Sequence, residues 1–170
     1  YGPPNYNTPP ADFVVGYVQS DHSNHVWAAK ENTPPGAFAL VTPPEGQELV
    51  ITHDNIGSTQ IFAWSQSVDP NGSTITYRAG LQVLAGTDTL EILVDTTGTA
   101  VIVPYASIAE VMTVYATATG NYQADVTWTV YADDGWDMVQ ATNGPRSISV
   151  DIGWYLGMND EAIIPDVFAL

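Results

Sequence analysis

The sequence contains no cysteine, and this absence excludes several kinds of chemistry together. Disulfide frameworks, thiolate zinc sites and cysteine nucleophiles all need the missing side chain. Histidine is almost as scarce, with only His22, His25 and His53. The chain also lacks a Gly-x-Ser-x-Gly motif, a P-loop and a dinucleotide-binding fingerprint. We therefore expect a protein that is not an enzyme and that requires no cofactor.

Basic residues are nearly absent as well. Lys and Arg total 3 against 19 Asp and Glu, which gives a formal net charge of -16. Lys30, Arg78 and Arg146 lie far apart in the sequence, so no basic cluster is available to bind phosphate groups. No apolar run reaches the length of a membrane span, and the first residues lack the features of a signal peptide. These absences predict no nucleic-acid partner and no membrane insertion, and a chain that is either a mature protein or a trimmed fragment.

The residues that are abundant favour strands. Hydrophobic residues make up 45% of the chain, which includes 5 Trp and 9 Tyr, and Thr, Val and Ile are frequent. Residues 1–32 differ from the rest, because two Pro-Pro pairs interrupt their first part. We interpret this segment as an extended, Pro-rich N-terminal arm that carries one or two strands.

Residues 33–153 show short alternating segments separated by turn residues, which is the pattern of a β-sandwich domain. The alternation predicts that Phe62, Trp64, Tyr77, Leu81, Trp128 and Val130 form its core. Only 105–112 suggests a helical turn. The last two strands, 138–141 and 147–152, are predicted to pair around the Asn-Gly-Pro sequence at 143–145. The domain is predicted to begin with a short strand, a Pro-Pro-Glu-Gly turn and a strand that ends near Ile51. Further strands are predicted at 60–64, 74–84, 90–94, 99–103 and 124–132.

Three motifs carry a resemblance to a known kind of module. They are NTPPGAFALVTPPEGQELVI, FAWSQSVDPNGSTITYRAGL and VTWTVYADDG. Together they resemble the immunoglobulin-like or fibronectin-III-like domains of secreted bacterial proteins. The ending IIPDVFAL, within the 154–170 tail, is similar to the segment that precedes a type IX secretion C-terminal sorting domain, which itself is missing here. The resemblance implies an all-β, antiparallel sandwich and a secreted, extracellular or cell-surface location.

The loop SVDPNGSTITY offers hard oxygen ligands of the kind that calcium prefers. Asp69 and Asn71, together with Asp133 and Asp134 of a later turn, are candidate calcium ligands if both loops lie at the same end of the sandwich. The alternative is structural, since Asn71-Gly72 is also typical of a tight turn. Asn71 further begins an Asn-x-Ser sequon and is a candidate glycosylation site.

Aromatic side chains outside the alternating strands suggest a second kind of site. Trp136, Trp154 and Tyr155 are candidates for stacking on surface glycans, which would make the chain an accessory carbohydrate-binding module of a secreted glycan-degrading enzyme. The alternative is that these rings pack in the core or in an interface.

The arm suggests a third interpretation. Phe13, Val15 and Tyr17 share one face of a predicted strand that can add to the sheet edge of a neighbouring copy. Such a heterologous contact does not close and so builds fibres. The alternative is an ordinary first strand, or the end of a preceding domain. We expect a structural or adhesive module whose partners are other copies of itself or neighbouring domains of a larger chain.

Overall fold

A computed structural model of the chain describes residues 31–157. The chain divides into two compact units, Tyr1–Thr33 and Pro34–Leu170, and nearly all described residues belong to the second. The predicted strand contacts of Phe13, Val15 and Tyr17 lie outside the described residues, as does the tail after residue 157.

The second unit is an all-β sandwich, which confirms the predicted fold class. Its smaller sheet has the strand order β1-β3-β6, and its larger sheet has the order β2-β9-β7-β4-β5 with β8 paired to β7. The element bounds are β1 (Leu40–Thr42), β2 (Gln47–Val50), β3 (Thr59–Trp64), β4 (Thr76–Ala85), β5 (Asp88–Thr96), β6 (Ala100–Pro104), α1 (Tyr105–Thr119), β7 (Gln123–Asp133), β8 (Met138–Gln140) and β9 (Arg146–Asp151).

The core forms where the period-two alternation of the strands points inward. All six predicted core residues are buried. Phe62 of β3 and Trp128 of β7 meet edge to face between the two sheets, with ring centroids 5.2 Å apart. This aromatic contact joins the centre of the smaller sheet to the centre of the larger one.

Two features of the larger sheet differ from the sequence prediction. β2 runs parallel to β9, with Gln47 opposite Ile148 and Val50 opposite Asp151, so the sheet is mixed and not wholly antiparallel. β8 and β9 both form, but they do not pair as a hairpin. Each pairs with a different half of β7, because residues 142–145 bulge away and let the chain continue in the same direction along one edge.

The helix is also longer than the single turn that the sequence suggested, since α1 has 15 residues. It packs against β4, β5 and β6, and Ile108 and Met112 face Leu81 and Ile92. A three-stranded sheet is too narrow to cover a six-stranded one, so α1 covers the remaining apolar surface of β4 and β5. It ends at Thr119 and is capped by Gly120, whose φ of 76° is the left-handed conformation of a helix C-cap. Within 31–157 no helix combines the length and apolar character needed to span a membrane.

Candidate functional site: the loop end of the sandwich and the open edge of β5

Asp69 shapes the loop between β3 and β4 by accepting hydrogen bonds from two backbone N–H groups of that loop. The backbone N–H of Gly72 donates to the carbonyl of Asp69 at 3.1 Å, and Gly72 has a φ of 84°. The carboxylate Oδ1 of Asp69 accepts the N–H of Ser73 at 2.7 Å. Asn71 does not share the positive φ, because within 31–157 only glycines have one. Asp69 and Gly72 therefore form the turn, and Asn71 lies partly exposed at its tip.

A buried tyrosine anchors the same loop to the core. The N–H of Ser67 donates to the phenol oxygen of Tyr77 at 2.8 Å, and the Ser67 hydroxyl donates to the carbonyl of Gly36 at 2.6 Å. Tyr77 also contacts the rings of Phe38 and Trp64. The sequence places Tyr77 in the core by its alternation, but gives no signal that its hydroxyl fixes a loop ten residues earlier.

A cleft of about 360 Å³ opens beside this loop. Hydroxyl side chains dominate its polar lining, and they come from two loops because the pairing of Tyr77 with Thr96 places the β5–β6 turn next to the start of β4. Asp69 is the single charged residue among the described residues of the lining, and it is only 6% exposed. Its Oδ2 is buried and accepts no hydrogen bond from the described residues. With no Lys or Arg among residues 31–157 of its lining, the cleft suits a neutral or cationic ligand better than an anion. The hydroxyl-bearing residues that line it are Ser67, Ser73, Thr74, Tyr77, Thr97 and Thr99.

The second acidic turn lies at the same end of the sandwich. Asp133 pairs with Thr76, the first residue of β4, so the 134–137 turn and the Asp69 loop are on one side. Their carboxylates are directed to backbone groups, however. Asp133 Oδ1 accepts the N–H of Gly135 at 2.7 Å, and Asp134 Oδ1 accepts the N–H groups of Trp136 and Asp137. Within the part of the chain that the structure describes, no three Asp, Glu or His side chains group closely enough to hold a metal ion.

The candidate sugar-stacking residues do not form one platform. Trp136 follows β7 at the Asp133 end, whereas Trp154 and Tyr155 follow β9, whose last residue pairs with Gln123 at the opposite end of β7. An 11-residue strand separates the two positions by roughly 33 Å at about 3.3 Å per residue. Trp136 is 53% exposed and Trp154 is 48% exposed. Tyr155 instead packs on His53, with ring centroids 5.1 Å apart.

The longest open edge of the sandwich is β5. Its 9 residues pair with β4 on one side, and no strand among residues 31–157 pairs with the other side. Its inward-facing residues Leu90, Ile92 and Val94 are only partly buried. An added strand would bury them further and would satisfy the open backbone groups.

Comparison with known proteins adds no relative: no family model, no curated protein and no solved structure matches this chain.

Proposed function

We propose that this protein is a non-catalytic, extracellular structural module with an immunoglobulin-like strand order, and that it assembles through strand pairing. The strand order supports the finer fold assignment. In immunoglobulin domains strands A, B and E lie in one sheet and strands C, F and G in the other. Here β1, β3 and β6 take the first set of positions, and β4, β7 and β8–β9 take the second. β5 then corresponds to an additional strand after C, as in variable-type domains.

The inter-sheet aromatic contact supports the same assignment. Antibody domains join strands B and F by a disulfide. In this cysteine-free chain the corresponding strands β3 and β7 are joined by Phe62 and Trp128. A packed aromatic pair supplies cross-sheet contact without oxidation, so the module does not depend on a disulfide for its core.

The open edge of β5 is the observation that carries the assembly proposal. An extended segment from a second copy adds to this edge, and the donor is residues 13–18 of the arm, in which Phe13, Val15 and Tyr17 share one face. The donor segment has no charged residue. The edge strand carries Asp88, Glu91 and Asp95, which disfavour pairing with acidic strands but not with a neutral one. An extracellular location is supported by the resemblance of the ending IIPDVFAL to exported bacterial proteins.

The test compares the full chain with a chain that lacks residues 1–20. Electron microscopy of the full chain should show head-to-tail polymers, and the shortened chain should show none. A synthetic peptide of residues 13–18 should shorten the polymers by occupying the β5 edge. The matched control is the same peptide with Val15→Pro, because proline cannot donate a ladder hydrogen bond. Polymers of undiminished length from the shortened chain would contradict strand donation.

A second candidate function is carbohydrate binding, which the exposure of Trp136 favours. This indole lies on a turn at the same end of the sandwich as the hydroxyl-lined cleft, where a sugar face can stack on it. Titration with soluble glycans should quench tryptophan fluorescence saturably in the native chain and in Trp154→Ala, and not in Trp136→Ala. Trp154 serves as the matched control because it is similarly exposed at the opposite end. Equal quenching in both variants would exclude Trp136 as the binding residue.

A further inference from the structure

Within residues 31–157, the strands of the smaller sheet place no charge on its outer face, in a chain of net charge -16. None of the 3, 6 and 5 residues of β1, β3 and β6 is Asp, Glu, Lys or Arg. Three aliphatic side chains project from this face, and Val41 is 59%, Ile61 49% and Ile102 65% exposed. Ile61 and Ile102 lie directly opposite each other on β3 and β6. We call Val41, Ile61 and Ile102 with the intervening Ala63 and Ala100 the neutral face.

The outer face of the larger sheet is different. Arg78, Glu91, Asp95 and Asp125 all lie on outward-facing positions of β4, β5 and β7. A basic partner would therefore be attracted to the larger sheet by Coulomb interaction, and the neutral face offers it no such attraction. Attraction of a basic partner therefore does not explain the exposed apolar side chains of the neutral face.

We infer that the neutral face binds the same face of a second copy of this chain. Two molecules of charge -16 repel each other wherever carboxylates approach, and this face lets them meet without burying a charge. Arg146 favours the same contact, because it donates to the carbonyls of Val41 and Pro43 at the β1 edge and lowers the local negative potential. The contact is isologous, with Ile61 and Ile102 of each copy packed across a two-fold axis.

The size of the face sets the strength of this contact. Three strands spaced about 4.8 Å apart, with about five residues each, give a footprint of roughly 240 Å². A stable specific interface buries about 800 Å² on each partner. The pairing is therefore weak between single molecules and becomes strong only where many copies are held side by side, as along a fibre or on a crowded surface. The inference does not depend on strand donation, because it uses a different sheet and no residue of the arm.

The dependence on salt distinguishes this contact from a charged one. Raising NaCl from about 0.01 M to about 1 M shortens the Debye length from about 30 Å to about 3 Å and removes most of the repulsion between the copies. Sedimentation equilibrium at millimolar protein should show a dimer whose dissociation constant falls by at least about tenfold over this range. Absence of a dimer at every salt concentration, or a dimer that weakens with salt, would overturn the inference.

The matched variants are Ile102→Glu and Leu84→Glu. Both replace an exposed aliphatic side chain of a strand and both add one negative charge, but Leu84 is 69% exposed on the larger sheet. Ile102→Glu should weaken the dimer at least about tenfold, and Leu84→Glu by less than about twofold. If circular dichroism shows that Ile102→Glu is misfolded, Ile102→Thr keeps the β-branched shape and should weaken the dimer in the same direction. Equal effects of the two Glu variants would overturn the inference.

Removing residues 1–20 separates the two modes of association. The shortened chain should lose any head-to-tail polymer and keep the salt-strengthened dimer. Loss of the dimer together with the polymer would show that the arm, and not the neutral face, joins the copies.

Discussion

The side-chain amide of Asn143 pairs with the backbone of Leu40 as a neighbouring strand would. Its Oδ1 accepts the Leu40 N–H at 2.7 Å, and its Nδ2 donates to the Leu40 carbonyl at 3.0 Å. Leu40 is buried and belongs to β1, an edge strand of only 3 residues. The bulge between β8 and β9 thus completes the hydrogen bonding of β1 from the opposite sheet, which explains why the chain leaves β7 at this point.

Replacing Asn143 by Asp tests this bridge. The carboxylate can still accept the Leu40 N–H, but it cannot donate to the Leu40 carbonyl and lies close to it, so we expect a loss of about 1 to 3 kcal/mol in the free energy of unfolding. The control is Asn121→Asp, which adds the same charge at an exposed position. Urea unfolding should show a lower midpoint with an unchanged slope for Asn143→Asp only. Equal midpoints for the two variants would contradict the role of the bridge.

The phenol of Tyr77 provides a second test, at the loop that lines the cleft. Tyr77→Phe keeps the ring contacts but leaves the buried N–H of Ser67 without its acceptor, so we expect a loss of about 1 to 3 kcal/mol in stability. Tyr131→Phe, on the outer side of β7, should change stability by less than about 0.5 kcal/mol. Amide hydrogen exchange should also show that residues 66–69 lose protection in Tyr77→Phe. Unchanged exchange there would show that the loop does not depend on the phenol.

Most of the sandwich follows from local patterns in the sequence. The alternation in β4 and β7 gives both their positions and their buried faces, because period-two patterns map directly onto the two sides of a sheet. The parallel pairing of β2 with β9 does not follow from local patterns, because it joins residues about a hundred positions apart. It also requires β1 and β2, which are close in the sequence, to enter different sheets. The separate pairing of β8 and β9 depends on the Asn143 bridge, which no local pattern encodes.

The length of α1 could not be predicted from the sequence, for a different reason. Its sequence contains Val111, Thr113, Val114 and Thr117, which favour strands, and its N-cap residue Pro104 makes no side-chain capping bond. Burial against β4 and β5 stabilises this helix more than its own propensity does. Such tertiary stabilisation leaves no signal in a short sequence window.

Met112 is the residue that should carry much of this stabilisation. It is 1% exposed between α1 and the larger sheet, and Met112→Ala should cost about 2 to 5 kcal/mol by removing apolar contacts and leaving a cavity. Val114→Ala on the same helix is the control, since Val114 is 55% exposed, and it should change stability by less than about 0.5 kcal/mol. Thermal unfolding followed by circular dichroism measures both. A similar melting temperature for the two variants would show that α1 is dispensable for the core.

The candidate site was only partly predictable. Asp69 and Gly72 were identifiable as turn residues, because their types are those that turns favour. Thr97 and Thr99 were not, since only the register of β4 with β5 brings them to the same cleft. The positions of Trp136 and Trp154 at opposite ends of β7 were not predictable for a related reason, because sequence separation does not show at which end of a sheet a loop emerges.

Arg78 and Asp95 lead to a prediction about acid stability. Arg78 Nε lies 2.9 Å from Asp95 Oδ1, and this hydrogen bond, together with Coulomb attraction, lowers the pKa of Asp95 below its ordinary value. A lowered pKa in the folded state means that ionised Asp95 stabilises the fold at pH values above the unfolded pKa. That contribution is lost as the pH falls through the lowered pKa of the folded state. The contribution is small because both side chains are exposed.

Asp95→Asn should therefore lower stability slightly at neutral pH, relative to the charge-matched control Asp88→Asn. Asp88 has no hydrogen bond or ion pair from its side chain among the described residues, so its replacement removes one negative charge without removing a partner of Arg78. The difference between the two variants should disappear in acid, where Asp95 is protonated in the folded native chain, and should shrink at high salt because the pair is screened. Urea unfolding at several pH values measures the difference, and NMR titration of the Asp95 carboxyl measures its pKa directly. A difference that grows as the pH falls would contradict the sign of the shift.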